Sequence, residues 1–182
     1  MLIYLHGVST SGKSTIGSAL SKQLTNAIHI DQDTYYKSVK PMVTFEGDKS
    51  YVTSNWDTVM AIDFDHFNLV IVKAIEQYSW VIVSGFAMHD ELMTLKPDVS
   101  FLLDYNINNP MDKISEQRKI SKEYSGEKEE KDYWIVRKVL WPYYQETLKK
   151  ISYDYNIKMF KEDKRRPIQD IVKEMITYLN MY

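Results

Sequence analysis

The stretch L-H-G-V-S-T-S-G-K-S-T (residues 5–15) follows an apolar run that begins at Leu2. From Gly7 to Ser14 it matches G-x-x-x-x-G-K-[ST], a glycine loop that holds phosphate where a strand turns into a helix. Apolar residues recur at helical spacing directly afterwards, so the strand and the helix that this motif requires are both predicted. Backbone N–H groups of such a loop, together with the helix N-terminus, favour an anion.

The side chains of the loop have separate expected tasks. Lys13 would reach the β- and γ-phosphates of a nucleoside triphosphate, and the Ser14 hydroxyl would bind Mg²⁺. A chance match occurs in roughly one chain of this length per hundred, and the flanking strand and helix make chance rarer. The residues predicted to bind ATP are Gly7, Ser9, Thr10, Ser11, Gly12, Lys13, Ser14 and Thr15.

The composition is that of an ordinary folded domain. The 182 residues, of which 44% are hydrophobic and 26% charged, suggest one domain spanning 1–182. The net charge of −2 disfavours a dedicated nucleic-acid binder. Cysteine is absent, which excludes disulfides, thiol nucleophiles and cysteine-ligated zinc. Apolar runs are too short for a membrane span, and a strand from Leu2 leaves no room for a leader, so we expect a cytoplasmic protein.

Strand and helix patterns alternate along the rest of the chain. A helix is predicted from Asp57, an N-cap residue type, with an apolar stripe that begins at Met60 and runs to Ile75, and a last helix is predicted over 168–179. Residues 37–55 are predicted to be a long loop, because they contain a proline, a glycine and no clear periodicity. Short buried strands are predicted at 2–6, 27–30, 80–86, 99–104 and 156–160.

This alternation predicts parallel βαβ units and a three-layer α/β domain with a five-stranded parallel sheet. The exception is 107–150, where two helical patterns surround the charged run K-E-Y-S-G-E-K-E-E-K-D (122–132) and no strand is predicted. A solvated, mobile loop is the simplest interpretation of such a run. Its position between the fourth and fifth strands also fits the tip of a lid.

Two carboxylates follow the second predicted strand, which ends in H-I-D-Q-D-T-Y-Y-K (29–37). Asp31 and Asp33 are thereby placed at the carboxyl edge of the sheet, beside the phosphate loop, where α/β proteins bind ligands. Phosphoryl transfer to an alcohol needs a carboxylate that accepts the hydroxyl proton and aligns the oxygen. Asp33 is placed for that task; the alternative is that it caps a turn, a common use of aspartate.

Six short motifs follow one another along the chain. They are G-V-S-T-S-G-K-S-T (7–15), D-Q-D-T-Y-Y-K (31–37), N-W-D (55–57), V-I-V-S-G-F (81–86), R-K-I-S-K-E-Y (118–124) and W-P-Y-Y (141–144). Together they resemble the uridine kinase and nicotinamide riboside kinase group of P-loop kinases over nearly the whole chain. The resemblance implies a P-loop NTPase fold with a helical lid at about 107–150.

The resemblance also implies a reaction: the γ-phosphate of ATP, with Mg²⁺ as cofactor, is transferred to the 5′-hydroxyl of a ribonucleoside. It makes Asp33 the base, and it assigns the grip on the ribose hydroxyls to Asp57, which follows Trp56. An acceptor-only carboxylate suits a cis-diol, and an aromatic face suits a flat base. The simpler alternatives are that Asp57 caps its helix and that Trp56 packs in the core. Tyr35 and Tyr36 are further candidates for the acceptor pocket.

Lid arginines neutralise phosphate charge in this family. The matching stretch here offers Arg118, Lys119 and Lys122, so that a lysine stands where one family arginine is expected and the bidentate fork is lost. We expect Arg118 and Lys122 to assist catalysis, with a solvated helix face as the alternative.

One departure from the family concerns the metal. The resemblance places a Mg²⁺-holding glutamate at the end of the third strand, where this chain has Ser84, a weaker and uncharged ligand. Ser14, Asp33 and Ser84 are the expected metal ligands, with Asp31 as the substitute. The departure leaves open a slower enzyme, or a nucleotide-binding protein that has lost catalysis.

A second departure concerns the acceptor. Uridine kinases carry a base-reading β-hairpin between the long second helix and the third strand, whereas here Gln77 and Trp80 are almost adjacent. This favours a nicotinamide riboside-like or unassigned ribosyl acceptor over uridine or cytidine. A P-loop kinase for another small alcohol or for a nucleoside monophosphate stays open, although a monophosphate site needs more arginines than this chain has.

Overall fold

The structure is a computed structural model that describes residues 1–39, 41–45, 51–56, 58–86, 88–122 and 126–181, with the backbone alone at 45, 51–53, 121–122 and 127. The strands are β1 (Leu2–Gly7), β2 (Ala27–Asp31), β3 (Met42–Phe45), β4 (Tyr51–Ser54), β5 (Trp80–Gly85), β6 (Val99–Asp104), β7 (Tyr155–Lys158), β8 (Phe160–Lys161) and β9 (Lys164–Arg165). The helices are α1 (Lys13–Ser21), α2 (Phe64–Gln77), α3 (Pro110–Lys122), α4 (Glu127–Ile135), α5 (Trp141–Leu148) and α6 (Ile168–Leu179).

The central sheet confirms the predicted α/β fold. Within the described ranges, five parallel strands lie in the order β2-β5-β1-β6-β7. The first strand, β1, is therefore central, with β5 on one side and β6 on the other. Because the strands are parallel, their carboxyl ends meet at one edge, where Asp31 pairs in register with Ser84. The phosphate loop leaves the middle of that edge.

Helices cover both faces of the sheet. Leu5 of β1 packs on one face with Ile16 of α1 and Ile171 of α6. Its neighbour Tyr4 points to the opposite face and packs with Phe67 of α2. This alternation follows from the period of two along a strand, and it produces the predicted three layers. None of the helices in the described part of the chain is long and apolar enough to cross a membrane.

Residues 37–55 do not form the long loop that was predicted. Strands β3 and β4 pair there as an antiparallel hairpin, with Met42 opposite Ser54. Four of the eight strand residues are β-branched, which favours a pleated strand over a loop. The connecting residues 46–50 lie outside the described residues.

Helix α2 begins directly after Asp63, not near Asp57 as predicted. The Asp63 carboxylate caps the helix by accepting a hydrogen bond from the His66 N–H at 3.1 Å. Met60 lies in a preceding 3₁₀ turn (Val59–Ala61) and is 64% exposed, so the predicted apolar stripe does not begin there. Asp57 itself lies outside the described residues.

Within the charged run 122–132, residues 127–132 are helical, so the interpretation as a mobile loop is wrong for that part. Helix α4 begins inside the run, and the ion pair of Lys119 with Glu129, at 2.7 Å, joins α3 to α4. A π-helical turn (Val136–Leu140) then leads from α4 into α5. This arrangement accommodates Pro142, which lacks the N–H that a regular helix needs.

Candidate functional site

The phosphate loop is a tight turn between β1 and α1. Gly12, the N-cap of α1, has φ 91°, a left-handed conformation that favours glycine. A Cβ on Gly7 would lie 2.6 Å from the Ser11 hydroxyl oxygen, so glycine lets the loop fold closely onto itself. The Ser11 N–H donates to the Val8 carbonyl at 3.1 Å and closes the turn.

Lys13 is the first residue of α1, and its side chain reaches back across the loop. Its ammonium donates to the Val8 carbonyl at 3.0 Å, and the residue is only 8% exposed. Ser14 follows in the same helical turn and is partly exposed, whereas Thr15 is exposed. A cation and a hydroxyl therefore lie at a helix N-terminus, where an anion is already favoured.

His6 lies directly before the loop and adds no positive charge to it. The residue is 1% exposed, and neither ring nitrogen has a hydrogen-bond partner among the described residues. Burial lowers the pKa of His6 to about 4, although the Asp90 charge acts in the opposite direction. Lys13, whose charge also lowers this pKa, therefore faces a neutral imidazole at pH 7.

Asp31 and Asp33 flank a buried anchor at the carboxyl end of β2. The Gln32 side-chain oxygen accepts a hydrogen bond from the Phe86 N–H at 3.0 Å, which ties this segment to the end of β5. Asp31 caps the following 3₁₀ turn by accepting from the Asp33 N–H at 3.2 Å. Asp33 is exposed, and its carboxylate accepts from the Tyr36 hydroxyl at 3.3 Å. The capping task considered for Asp33 thus belongs to Asp31.

Tyr36 connects Asp33 to Trp56. The rings of Tyr36 and Trp56 are 4.9 Å apart and perpendicular, at 90°. Trp56 is 46% exposed, which disfavours the alternative that it packs in the core. Tyr35 instead packs against Phe67 of α2, with ring centroids 5.1 Å apart. The fold therefore brings Asp33, Tyr36 and Trp56 together, while Tyr35 contacts α2.

Arg118 reaches from α3 to the phosphate loop. Its Nη1 donates to the Ser9 hydroxyl at 3.3 Å. Its Nε and Nη2 donate to the Asp132 carboxylate of α4, at 3.0 and 2.8 Å, and both residues are buried. The side chain of Lys122 lies outside the described residues. Asp132 was not predicted, since it belongs to a run whose charges suggested solvent exposure.

Comparison with known proteins supports the α/β fold described above. No protein-family model matches the chain. Nicotinamide riboside kinase of Saccharomyces cerevisiae is 36% identical over 67 residues, which are 37% of this chain and 27% of that protein. Shikimate kinase of Acinetobacter baumannii, solved with shikimate, aligns with a TM-score of 0.55 and 15% identity over 99% of this chain and 93% of that one. Shikimate kinase of Bacteroides thetaiotaomicron aligns with a TM-score of 0.53 and 16% identity over 99% and 98%.

This chain has the α/β fold of the shikimate kinases. The two shikimate kinases share its architecture along almost their whole length, whereas the yeast protein matches it over about a quarter of its own length. The fold is therefore shown by structure, and the acceptor is a separate question.

In this fold, the Ser84 side chain already has a hydrogen-bond partner. It is fully buried, and its hydroxyl lies 2.9 Å from Nε2 of His29. Gly17 of α1 leaves the space for this imidazole, because a Cβ there would collide with the ring. Burial lowers the pKa of His29, against the opposing charge of Asp31, so the ring is neutral at pH 7. His29 was not predicted; its one signal is its place two residues before Asp31, on the same face of β2.

Oxygen ligands for Mg²⁺ are available at the sheet edge. The Ser14 hydroxyl lies in the first turn of α1, and the Asp31 carboxylate lies at the end of β2. Within the ranges that the structure describes, no cluster of three or more His, Asp or Glu side chains is arranged to hold a metal ion. A Mg²⁺ ion here would take its other ligands from nucleotide phosphates and water, as this ion usually does.

The buried Arg118–Asp132 pair makes a stability prediction. We expect Asp132→Ala to lower the free energy of unfolding by about 3 kcal/mol, because it leaves a buried guanidinium without its carboxylate. Urea denaturation measures the loss. The matched control is Glu129→Ala, on the same helix as Asp132. It breaks the exposed pair with Lys119 of α3 and should cost about 0.5 kcal/mol. Equal losses in the two variants would contradict the assignment of a structural role to the buried pair.

Proposed function

We propose that this protein is an ATP-dependent small-molecule kinase that transfers the γ-phosphate to the 5′-hydroxyl of a ribonucleoside-like acceptor. The observation that supports this most is the presence, at one sheet edge, of a phosphate loop with Lys13 and of the exposed Asp33 carboxylate. Direct in-line transfer needs no covalent enzyme intermediate, since positioning and charge neutralisation supply most of the catalysis. In this proposal, 1–182 is a single P-loop kinase domain with a lid at about 107–150.

At the donor end, residues 7–15 bind the triphosphate. The N–H groups at the start of α1 favour the anion, and Lys13 neutralises the charge that develops on the phosphates during transfer. Ser14 would hold the Mg²⁺ that accompanies ATP, and the ion would supply further positive charge there. Asp33, Asp31 and Ser84 are the other candidate ligands. Asp31 is a better candidate than Ser84, because the Ser84 hydroxyl is hydrogen-bonded to His29.

At the acceptor end, Asp33 accepts the hydroxyl proton. The Tyr36 hydroxyl donates to one carboxylate oxygen, which orients the group and leaves the other oxygen for the acceptor. Trp56 offers an aromatic face on which a flat base can stack. Asp57, which follows it in sequence, is proposed to hold the ribose diol.

Two observations favour a nicotinamide riboside-like acceptor over uridine. The local similarity to the yeast nicotinamide riboside kinase is 36% over 67 residues. Helix α2 ends at Gln77 and β5 begins at Trp80, so no base-reading hairpin separates them. The base would instead meet the aromatic pair of Tyr36 and Trp56.

The lid contributes charge from α3. Arg118 already contacts Ser9 of the phosphate loop, and Asp132 fixes two of the guanidinium nitrogens. A guanidinium oriented in this way presents its Nη1 as a donor beside the triphosphate without a large rearrangement. Lys122, at the end of α3, is proposed to supply a second charge.

A second candidate is a nucleotide-binding protein without transfer activity. It is favoured by the neutral pair of Ser84 and His29, which stands where the resemblance assigns a metal-holding carboxylate. A third candidate is a kinase for another small alcohol, a class for which the shared fold of the shikimate kinases leaves room.

An ADP-release assay separates these candidates. Purified protein with ATP and Mg²⁺ is tested against nicotinamide riboside, uridine, cytidine, deoxynucleosides, small sugars and shikimate. We expect ADP release that depends on a ribonucleoside and is strongest with nicotinamide riboside. Release with sugars or shikimate alone would favour the third candidate. ATP binding by calorimetry without ADP release from any acceptor would favour the second.

Ser84 gives a prediction about the metal. Ser84→Glu should lower the Mg²⁺ concentration for half-maximal activity several-fold, because a carboxylate is a stronger ligand for Mg²⁺ than a serine hydroxyl, by on the order of 1 kcal/mol. Magnesium titration at saturating ATP measures the shift. The control is Ser84→Gln, whose side chain has nearly the same size as that of Ser84→Glu but carries no charge. Identical titrations for the two variants would mean that residue 84 does not face the metal.

A further inference from the structure

Arg165, in the short β8–β9 hairpin, is hydrogen-bonded to the backbone of the phosphate loop. Its Nη2 donates to the Thr10 carbonyl at 3.1 Å and to the Ser11 carbonyl at 2.9 Å. These residues are more than 150 positions apart in the chain. The contact therefore joins two elements that no local sequence pattern connects.

The hairpin is held in place independently of this contact. The Asn106 side chain donates to the Phe160 carbonyl at 3.1 Å and accepts from the Phe160 N–H at 3.1 Å. The Arg166 N–H donates to the Met159 carbonyl at 3.0 Å. The Phe160 ring packs on Tyr105 with centroids 5.0 Å apart. Arg165 thus extends from a backbone that is already fixed, so that its contact with the loop has to order only the arginine side chain.

The loop is strained where Arg165 touches it. Thr10 has φ 67°, a left-handed conformation that is costly for a residue with a branched Cβ, and Gly12 has φ 91°. A Cβ on Gly12 would lie 2.7 Å from Arg165 Nη2, so glycine at this position also leaves room for the guanidinium. The two left-handed residues flank Ser11, whose carbonyl receives the shorter of the two hydrogen bonds.

We infer that Arg165 is a positioning residue of the donor site, acting through the phosphate loop rather than by touching the nucleotide base. The Ser11 carbonyl belongs to the same peptide group as the Gly12 N–H, and the Thr10 carbonyl to the same group as the Ser11 N–H. When a charged group donates a hydrogen bond to a carbonyl, it polarises that peptide group. The N–H of the same peptide group then becomes a stronger hydrogen-bond donor. The Ser11 N–H closes the loop onto Val8, and the Gly12 N–H lies at the N-cap of α1, where anions are favoured.

The inference rests on the proposed function, since it assumes that the loop binds a triphosphate. It is tested by calorimetric titration of two probes, ATP and inorganic tripolyphosphate, which lacks sugar and base. The variants are Arg165→Met, Arg165→Lys and the matched control Lys164→Met. Lys164 is the strand neighbour of Arg165, is exposed as Arg165 is, and carries the same charge, but neighbouring strand residues point to opposite faces.

We expect Arg165→Met to weaken both probes by the same factor, roughly tenfold, as for the loss of charge-assisted hydrogen bonds. Arg165→Lys should fall between it and the wild type, because lysine keeps the charge without the fork. Lys164→Met should bind both probes like the wild type. In turnover assays, Arg165→Met should raise the KM for ATP more than it lowers kcat, which a role in stability alone would not do.

Three results would overturn the inference. One is weaker ATP binding with unchanged tripolyphosphate binding, which would place Arg165 against the base. Another is unchanged binding of both probes by Arg165→Met. The third is an equal loss in Lys164→Met, which would indicate a diffuse charge effect. If the wild-type protein binds neither probe, it is the proposed function that fails.

Discussion

Lys13→Ala is expected to lower turnover by roughly 100- to 1000-fold and to weaken ATP binding, because the phosphates lose a cation that is already positioned at the loop. The Lys13 ammonium is held 3.0 Å from the Val8 carbonyl, on a residue that is 8% exposed. ADP release and calorimetric titration of ATP measure the two effects.

The control for Lys13 is Lys22→Ala, at the other end of α1. Lys22 is exposed and follows the last turn of the helix, so its loss changes the net charge equally without touching the loop. Lys22→Ala should retain wild-type affinity and turnover. Unchanged ATP affinity and unchanged turnover in Lys13→Ala would show that this loop is not the donor site.

Asp33→Asn is expected to lower kcat by roughly two to four orders of magnitude while ATP still binds. The change is nearly isosteric, but an amide cannot accept the hydroxyl proton, and a positioned general base contributes about this factor. The amide oxygen can still accept the hydrogen bond from Tyr36, so the local geometry should survive. Single-turnover kinetics with the preferred acceptor separates the chemical step from binding.

Two further variants serve as comparisons for Asp33→Asn. Tyr36→Phe removes the hydrogen bond to the carboxylate but keeps the base, so its kcat should fall far less than that of Asp33→Asn. Asp57→Asn should raise the KM for the acceptor more than it lowers kcat. Wild-type turnover in Asp33→Asn would mean that the base lies elsewhere, with Asp31 as the next candidate.

The sheet was predictable because its strands are short apolar runs next to strong turn signals. The run at 99–104 coincides with β6, and the phosphate loop placed β1 and α1. The N-cap of α2 was harder to predict, since Asp57 and Asp63 are the same residue type six positions apart. Only the fold decides which of them meets a free helix N-terminus.

The β3–β4 hairpin was missed for a different reason. Its strands are four residues each, and Pro41 before β3 and Gly47 between the strands are typical of an ordinary loop. The charged run at 122–132 was misread because charge alone does not distinguish a solvated helix from a loop. One of its acids, Asp132, is buried by a partner fourteen residues earlier, Arg118.

Within the candidate site, the positions of residues in a local motif were predictable, and the contacts between distant segments were not. The motif places Lys13 at the start of α1, and the end of β2 places Asp33 at the same edge of the sheet. The pair of Ser84 with His29, and the reach of Arg165 to the loop, join residues 55 and more than 150 positions apart. No periodicity or spacing in the sequence encodes such pairings.

The identity of the transferred group and of its acceptor oxygen tests the central proposal most directly. Nicotinamide riboside and its 5′-deoxy analogue are each incubated with ATP and Mg²⁺, and the products are analysed by mass spectrometry. We predict that nicotinamide riboside gains one phosphoryl group with matching ADP formation, and that the 5′-deoxy analogue does not react. Equal phosphorylation of the 5′-deoxy analogue, or no phosphorylated ribonucleoside despite measured ATP binding, would contradict transfer to a ribosyl 5′-hydroxyl.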